Sequence, residues 1–322
     1  SVDMSFVGLL FKIISGSGDK KRDRDLKIPE DLILHRDLSF SGKQEKYEML
    51  DVYYPKGTSR PLPVILNVHG GGWVYGTKDV YLQYCLFLAQ QGFAVVNMNY
   101  HLAPKKRFPT QLAQINQVIR WMRCHAQEYF LDMNSLFLVG DSAGAQMVSQ
   151  YAAIATNPDY AKLFPFAVPD GLKISAVGLN GGTYEIGPVP KGVKKKFHLP
   201  KNIEDGSKLL QSEDAMMGLM AGLMKDYLGQ NGERFVPMLD VKGNITEAFP
   251  PAYVMTSYYD FVKEQAEPMW KLLRSQGVDA EYKCYGTEAD THLTHVCHTN
   301  MNFAEAKQMN MDELAFFRAH IV

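Results

Sequence analysis

From residue 46 onward, short apolar runs alternate with longer stretches of helical spacing. The runs cover residues 47–54, 64–68, 94–99, 136–139, 174–179, 252–257 and 280–285, each four to eight residues long, the length of buried strands. Residues 80–91, 110–125, 144–156 and 263–276 separate several of them, and their apolar positions recur as on an amphipathic helix. This alternation predicts an α/β fold class: a mostly parallel sheet whose central strands are covered by helices on both faces. A last helix is expected over residues 303–320.

Two segments fall outside this rhythm. Phe6, Leu9, Leu10, Ile13 and Ile14 place one apolar stripe on an N-terminal helix. That predicts an arm packed on a larger body, because Lys12 alone makes a poor basic face for a membrane-surface helix. The mixed-charge run from Lys20 to Asp25 reads as a solvated turn. The second segment is the interval between Leu179 and Ala252, about seventy residues where a crossover unit takes about thirty. It holds a loop rich in Pro, Gly and Lys at 187–201. A helix is expected over 212–228, apolar around much of its circumference through Met216, Met217, Met220, Leu223 and Met224.

Composition narrows the function classes. The chain of 322 residues carries 34 Lys plus Arg against 35 Asp plus Glu, a net charge of −1, with 46% hydrophobic residues. That is an ordinary globular composition, long enough for one large domain or two modest ones. Balanced charge supplies no broad positive field, so no nucleic-acid partner is expected. Cys85, Cys124, Cys284 and Cys297 form no Cys-x-x-Cys pair. Neither a zinc framework nor a disulfide ladder is therefore expected, and the thiols suit a reducing, cytoplasmic setting. The apolar stretch 6–14 is too short to span a bilayer, and Asp3 precedes it where an export signal carries positive charge. A leader removed before Ser1 is left open.

The candidate chemistry lies at the ends of the expected strands. Gly140, Asp141, Ser142, Ala143 and Gly144 stand between the run 136–139 and a helical stretch. This is the context of the G-x-S-x-G nucleophile elbow, whose strained turn lifts a serine hydroxyl off the sheet edge. The helix behind it brings its N-terminal dipole to any negative charge that develops there. His69, Gly70, Gly71, Gly72 and Trp73 follow the run 64–68. Three glycines leave backbone N–H groups unobstructed for an oxyanion. The segment lacks the Lys and Ser or Thr of a phosphate loop and the spacing of a dinucleotide loop.

A serine nucleophile needs a base oriented by an acid, in the chain order Ser, Asp or Glu, His that goes with such an elbow. Asp260 follows the run 252–257 and a short aromatic turn, at the carboxyl edge of the sheet where ligands bind. Glu264 and Glu267 fall within the next helix. His292, His295 and His298 follow the last run at intervals of three, and position alone leaves His292 and His295 both open as the base. Residues three apart drift around a helix and no carboxylate cluster accompanies them, so no metal site is expected.

Three motifs in this order and spacing resemble the bacterial hormone-sensitive-lipase-like esterases of the α/β-hydrolase superfamily. They are His69 to Trp73, the run Tyr100, His101, Leu102, Ala103, Pro104 ending in Phe108 and Pro109, and Gly140 to Gly144; the resemblance covers roughly residues 45–320. It implies an α/β-hydrolase fold and a serine carboxylesterase. Ser142 would be the nucleophile, Asp260 the acid, and the N–H groups of Gly71, Gly72 and Ala143 the oxyanion hole. The resemblance favours His295 as the base, because Val296 follows it, although Cys297 stands where the family carries an aromatic; His292, before Leu293 and Thr294, fits less well. His101 in place of Arg, Ala145 in place of Gly or Asn, and Phe261–Val262 in place of Pro–Leu are further departures. The family's cap implies that residues 1–45 and 182–240 form a helical lid over a catalytic core of 46–181 and 241–322.

The expected reaction is hydrolysis of short to medium acyl esters through an acyl-enzyme, with no cofactor. Trp73, Tyr75, Met216 and Met220 are the expected substrate-binding residues, flexible thioethers suiting varied groups. Two other readings use the same residues: a non-catalytic relative that binds a small ligand under its lid, and an amidase or peptidase. The expected partner is a small-molecule ester, without nucleic acid or stable membrane association. Oligomeric state is left open, a homodimer included.

Overall fold

The computed structural model describes residues 4–189 and 213–322; most of the loop expected at 187–201, and Ser212, lie outside the described residues. Eight strands form one sheet: β1 (Leu32–Ser39), β2 (Met49–Pro55), β3 (Leu62–Val68), β4 (Ala94–Met98), β5 (Leu131–Asp141), β6 (Ala176–Asn180), β7 (Ala252–Ser257) and β8 (Ala280–Tyr285). Their order is β1-β2-β4-β3-β5-β6-β7-β8. The β1–β2 and β2–β4 pairings are antiparallel and the remainder parallel. Against this sheet and its loops pack α1 (Phe6–Asp23), α2 (Leu82–Gln90), α3 (Thr110–His125), α4 (Ala143–Thr156), α5 (Glu213–Leu228), α6 (Ala266–Ser275) and α7 (Ala304–Arg318).

The apolar runs are continuous because both faces are covered. In β3, Val64, Leu66 and Val68 join one buried cluster and Ile65 the other; in β5, Leu136 and Leu138 oppose Phe137 and Val139. Alternate side chains of a strand point to opposite faces, so a strand buried on both sides needs apolar residues throughout. Helices α3, α4 and α6 fill the first face with Leu112, Ile115, Met147 and Met269. Helices α2 and α7 fill the second with Leu86, Met309, Leu314 and Phe317.

The division expected from sequence is corrected at its first boundary. Residues 32–39, assigned with 1–45 to a lid, are instead the edge strand of the sheet, pairing from Leu32↔Pro55 to Ser39↔Met49. Only Leu32 of this strand is buried, and Arg36 and Asp37 are exposed, so its apolar run stops at Leu34, shorter than those of the central strands. The 3₁₀ turn Lys78–Tyr81 ahead of α2 is pinned to this edge by buried Lys78. Its Nζ lies 2.6 Å from Asp37 Oδ1 and 2.9 Å from Asp51 Oδ1.

Helix α1 forms as expected. Of the predicted stripe, Leu9 is 49% exposed, and the side chains of Phe6, Leu10, Ile13 and Ile14 lie outside what is described. Val7 and Phe11 pack on the main core. Helices α1 and α5 approach through small residues: a Cβ on Gly8 would lie 2.2 Å from Asp226 Oδ2, and one on Gly222 2.8 Å from Val7 Cβ. Ser5 N–H and Oγ–H donate to the two oxygens of Asp226 at 2.8 and 2.7 Å. Among the described residues no helix is long and apolar enough to cross a membrane.

Candidate active site

Strand β5 ends at Asp141 and α4 begins at Ala143, so Ser142 is the whole turn between them. Its φ of 53° and ψ of −120° fall where a non-glycine residue pays about 1–3 kcal/mol of strain. The turn is held because Ser142 N–H donates to Asn180 O at 3.0 Å across to β6. Space dictates Gly144, where a Cβ would lie 2.0 Å from Val68 O. Buried Asp141 accepts from Gly70 N–H at 2.9 Å and from the Tyr81 hydroxyl at 2.7 Å, tying the elbow to the glycine loop. Burial pushes its pKa up to about 6.

The other two residues come from the ends of β7 and β8. Asp260 is 5% exposed; its Oδ2 accepts from Thr256 Oγ1 at 2.8 Å and its Oδ1 from Val262 N–H at 3.0 Å. A parallel bridge between Tyr259 and Thr294 lays the loop after β8 beside the acid. His295 Nδ1 stands 2.7 Å from Asp260 Oδ1, and its Nε2 2.9 Å from Ser142 Oγ. With a proton on Nδ1 facing the carboxylate, Nε2 is the acceptor for the serine proton. Phe261 packs on the imidazole with ring centroids 4.2 Å apart. The three histidines thus have three separate surroundings. His292 Nε2 lies at the surface, 2.9 Å from Glu305 Oε1. His298 is buried edge-on to Tyr84, and burial pushes its pKa down to about 3. Glu264 and Glu267 lie beyond the acid, in a 3₁₀ turn and in α6.

The glycine loop runs beside the elbow. Gly71, at φ 122°, turns so tightly that a Cβ would lie 1.9 Å from Tyr75 O. Its carbonyl accepts from Val74 and Tyr75 N–H at 3.1 and 2.9 Å. Among the described residues, no backbone carbonyl takes a hydrogen bond from the N–H groups of Gly71, Gly72 or Ala143. His69 supports the loop from below: its ring stacks on Tyr100 at 4.1 Å, and the Tyr100 hydroxyl donates to His69 O at 2.6 Å. Burial pushes the His69 pKa down to about 4, which leaves the ring neutral near pH 7. His101, in the family's Arg position, has Nε2 3.1 Å from Glu48 Oε2.

The expected substrate-binding residues divide. Trp73 is buried and stacks on Tyr227 of α5 at 5.0 Å. The Tyr75 hydroxyl donates to Asp19 Oδ2 of α1 at 2.7 Å. Met216 and Met220 are partly buried on α5, Met220 against the main core. Leu223 and Phe11, not expected from sequence to bind substrate, approach the loop: a Cβ on Gly72 would stand 3.0 Å from Leu223 Cδ1 and 3.1 Å from Phe11 Cε1. Thr256 is also missed by motif reading. Its signal was its place at the end of β7, four residues before the acid.

The alpha/beta hydrolase fold family model matches residues 65–295. Versiconal hemiacetal acetate esterase of Dothistroma septosporum is 26% identical over 236 residues, covering 73% of this chain and 67% of that protein. An acetyl esterase of Salmonella dublin is 26% identical over 236 residues, 73% of this chain and 66% of that protein. Among solved structures, esterase B from Lactobacillus rhamnosis superposes with a TM-score of 0.81 at 24% identity, over 98% of this chain and 96% of that one. Because the family match runs from within β3 to His295, well over half of the sequence, the chain belongs to the alpha/beta hydrolase fold family.

Proposed function

We propose that the chain is a serine carboxylesterase hydrolysing small esters of short to medium acyl chains. The observation that carries this reading is the unbroken line from Asp260 Oδ1 to His295 at 2.7 Å and on to Ser142 Oγ at 2.9 Å. Ser142 Oγ attacks the ester carbonyl while its proton passes to His295 Nε2, and Asp260 holds the imidazolium that forms. The N–H groups of Gly71, Gly72 and Ala143 receive the oxyanion; removing one such donor lowers kcat about 10²–10³-fold. Collapse breaks the bond to the alcohol, which takes the proton from His295. Water, deprotonated by the same imidazole, then releases the acid.

Two relatives whose names carry acetyl or acetate groups support an ester substrate. A short acyl chain is supported by Phe11 and Leu223, whose side chains crowd Gly72. The lid in this reading consists of α1 and the stretch 182–240, without β1. The test is hydrolysis of p-nitrophenyl acetate, butyrate, octanoate and palmitate by the wild type and by Ser142→Ala. Turnover of acetate and butyrate that vanishes in the variant is expected; wild-type turnover no faster than the variant's overturns the reading.

A further inference from the structure

We propose that Asp19 and Arg22, in the last turns of α1, are positioning residues that hold the oxyanion loop and the histidine loop in register. The inference rests on the esterase reading above. On one side, Tyr75 closes the turn at Gly71 with its main chain, donating N–H to Gly71 O at 2.9 Å. Its hydroxyl donates to Asp19 Oδ2 at 2.7 Å. One helical turn on, Arg22 Nη1 lies 3.5 Å from Asp19 Oδ1 and 3.2 Å from Thr299 Oγ1. On the other side, Thr299 N–H and Oγ1–H both donate to Val296 O, at 3.1 and 2.9 Å. Val296 is the residue next to His295. The chain Gly71, Tyr75, Asp19, Arg22, Thr299, Val296 therefore joins the donors to the base through the cap, by a route that bypasses the sheet.

Three further observations give this chain a purpose. Gly71 and Val296 both hold positive φ, 122° and 52°, and strained backbone persists only where its surroundings over-determine it. The Arg22 side chain is 13% exposed, and its Nε and Nη2 are bound to the two oxygens of Asp23, each at 2.9 Å, so the guanidinium is fixed in orientation. Asn302 Nδ2 also donates to Arg22 O at 2.7 Å, fastening the end of α1 beyond the histidine loop. A planar fork serves several acceptors at once, which the point charge of Lys does not.

The test measures kcat and KM for p-nitrophenyl acetate in Arg22→Ala, Arg22→Lys, Asp19→Asn, Tyr75→Phe and the double variant Arg22→Ala/Tyr75→Phe, each assayed below its own unfolding midpoint. Displacements of about 1 Å in a catalytic site lower rates about 10²-fold. We expect kcat to fall about tenfold or more in Arg22→Ala and Tyr75→Phe with KM nearly unchanged, and Arg22→Lys to restore only part of the loss. The double variant should be no slower than the worse single one, since both break one chain. If Arg22→Ala does not fold, Asp19→Asn keeps the shape and the Tyr75 acceptor while removing the charge, and its kcat decides. Folded variants with wild-type kcat, a change confined to KM, or additive losses overturn the inference. A wild type without turnover overturns the esterase reading instead.

Discussion

Ser142 sits where two requirements meet: its backbone must hold a strained turn, and its hydroxyl must face His295. Replacing Ser142 or His295 by Ala should lower kcat/KM for p-nitrophenyl butyrate by about 10⁴-fold or more, whereas His292→Ala, at a surface ion pair, should leave it near wild type. A loss in His292→Ala comparable to that in His295→Ala would contradict the assignment of the base. A second residue-scale prediction concerns buried Glu313 on α7. Its Oε1 accepts from Asn180 Nδ2 at 3.2 Å, and its carboxylate lies against Gly178, where a Cβ would come within 2.5 Å of Oε2. Burial pushes its pKa from the ordinary 4.5 up to about 8. The folded chain thus keeps a proton that the unfolded chain releases between those values. The stability this contributes is complete below about pH 4.5 and is lost as pH rises through about 8. Glu313→Gln, neutral at every pH, should raise the unfolding midpoint near pH 8 and leave it little changed near pH 4.5, as followed by circular dichroism. Parallel pH curves for wild type and variant would contradict a proton held at Glu313.

The elements differ in how much of themselves they showed in advance. Strands β3, β4 and β5 were legible because burial on both faces forces unbroken apolar runs such as Val64–Val68, and the elbow was legible because its glycines answer to backbone contact. Strand β1 was not, since an edge strand with Arg36 and Asp37 exposed carries no such run. Part of the docking of α1 was hidden for a related reason: Ser5, Gly8, Asp19 and Arg22 make polar or close contacts with the body, and hydrophobic periodicity counts such residues as solvent-facing. The carbonyl of Asn180 acts across strands, on Ser142 N–H, and such a partner depends on register rather than on local pattern; Thr256 acts locally, on Asp260 four residues on, through a polar contact that hydrophobic patterning does not report. The tie between the β1–β2 edge and α2 yields a prediction of its own. Lys78→Ala would leave the fully buried Asp51 without its 2.9 Å ammonium partner. Removing one member of a buried pair lowers stability by about 3–5 kcal/mol, which urea unfolding would register; a change below about 1 kcal/mol, the worth of a surface pair, would show that its other partners, the Arg36 guanidinium, the Tyr53 hydroxyl and Asp37 N–H, satisfy Asp51 unaided.

At the scale of the whole molecule, a near-neutral α/β body carries two helices, α1 and α5, that pack on each other across about two hundred residues of chain. They meet over Gly72, where Phe11 and Leu223 stand within van der Waals reach of the loop. If these side chains limit the acyl group, Leu223→Ala should shift preference from p-nitrophenyl butyrate toward the octanoate without lowering acetate turnover. An unchanged profile would place the limit elsewhere. The central claim, that Ser142 is a nucleophile driven by His295, is tested most directly by trapping it. A short-chain p-nitrophenyl phosphonate is incubated with the protein, and the adduct is located by peptide mass spectrometry. The account predicts one adduct per chain, on the peptide carrying Ser142, absent in Ser142→Ala and strongly slowed in His295→Ala. No adduct, an adduct on another residue, or labelling as fast in His295→Ala as in the wild type would contradict it.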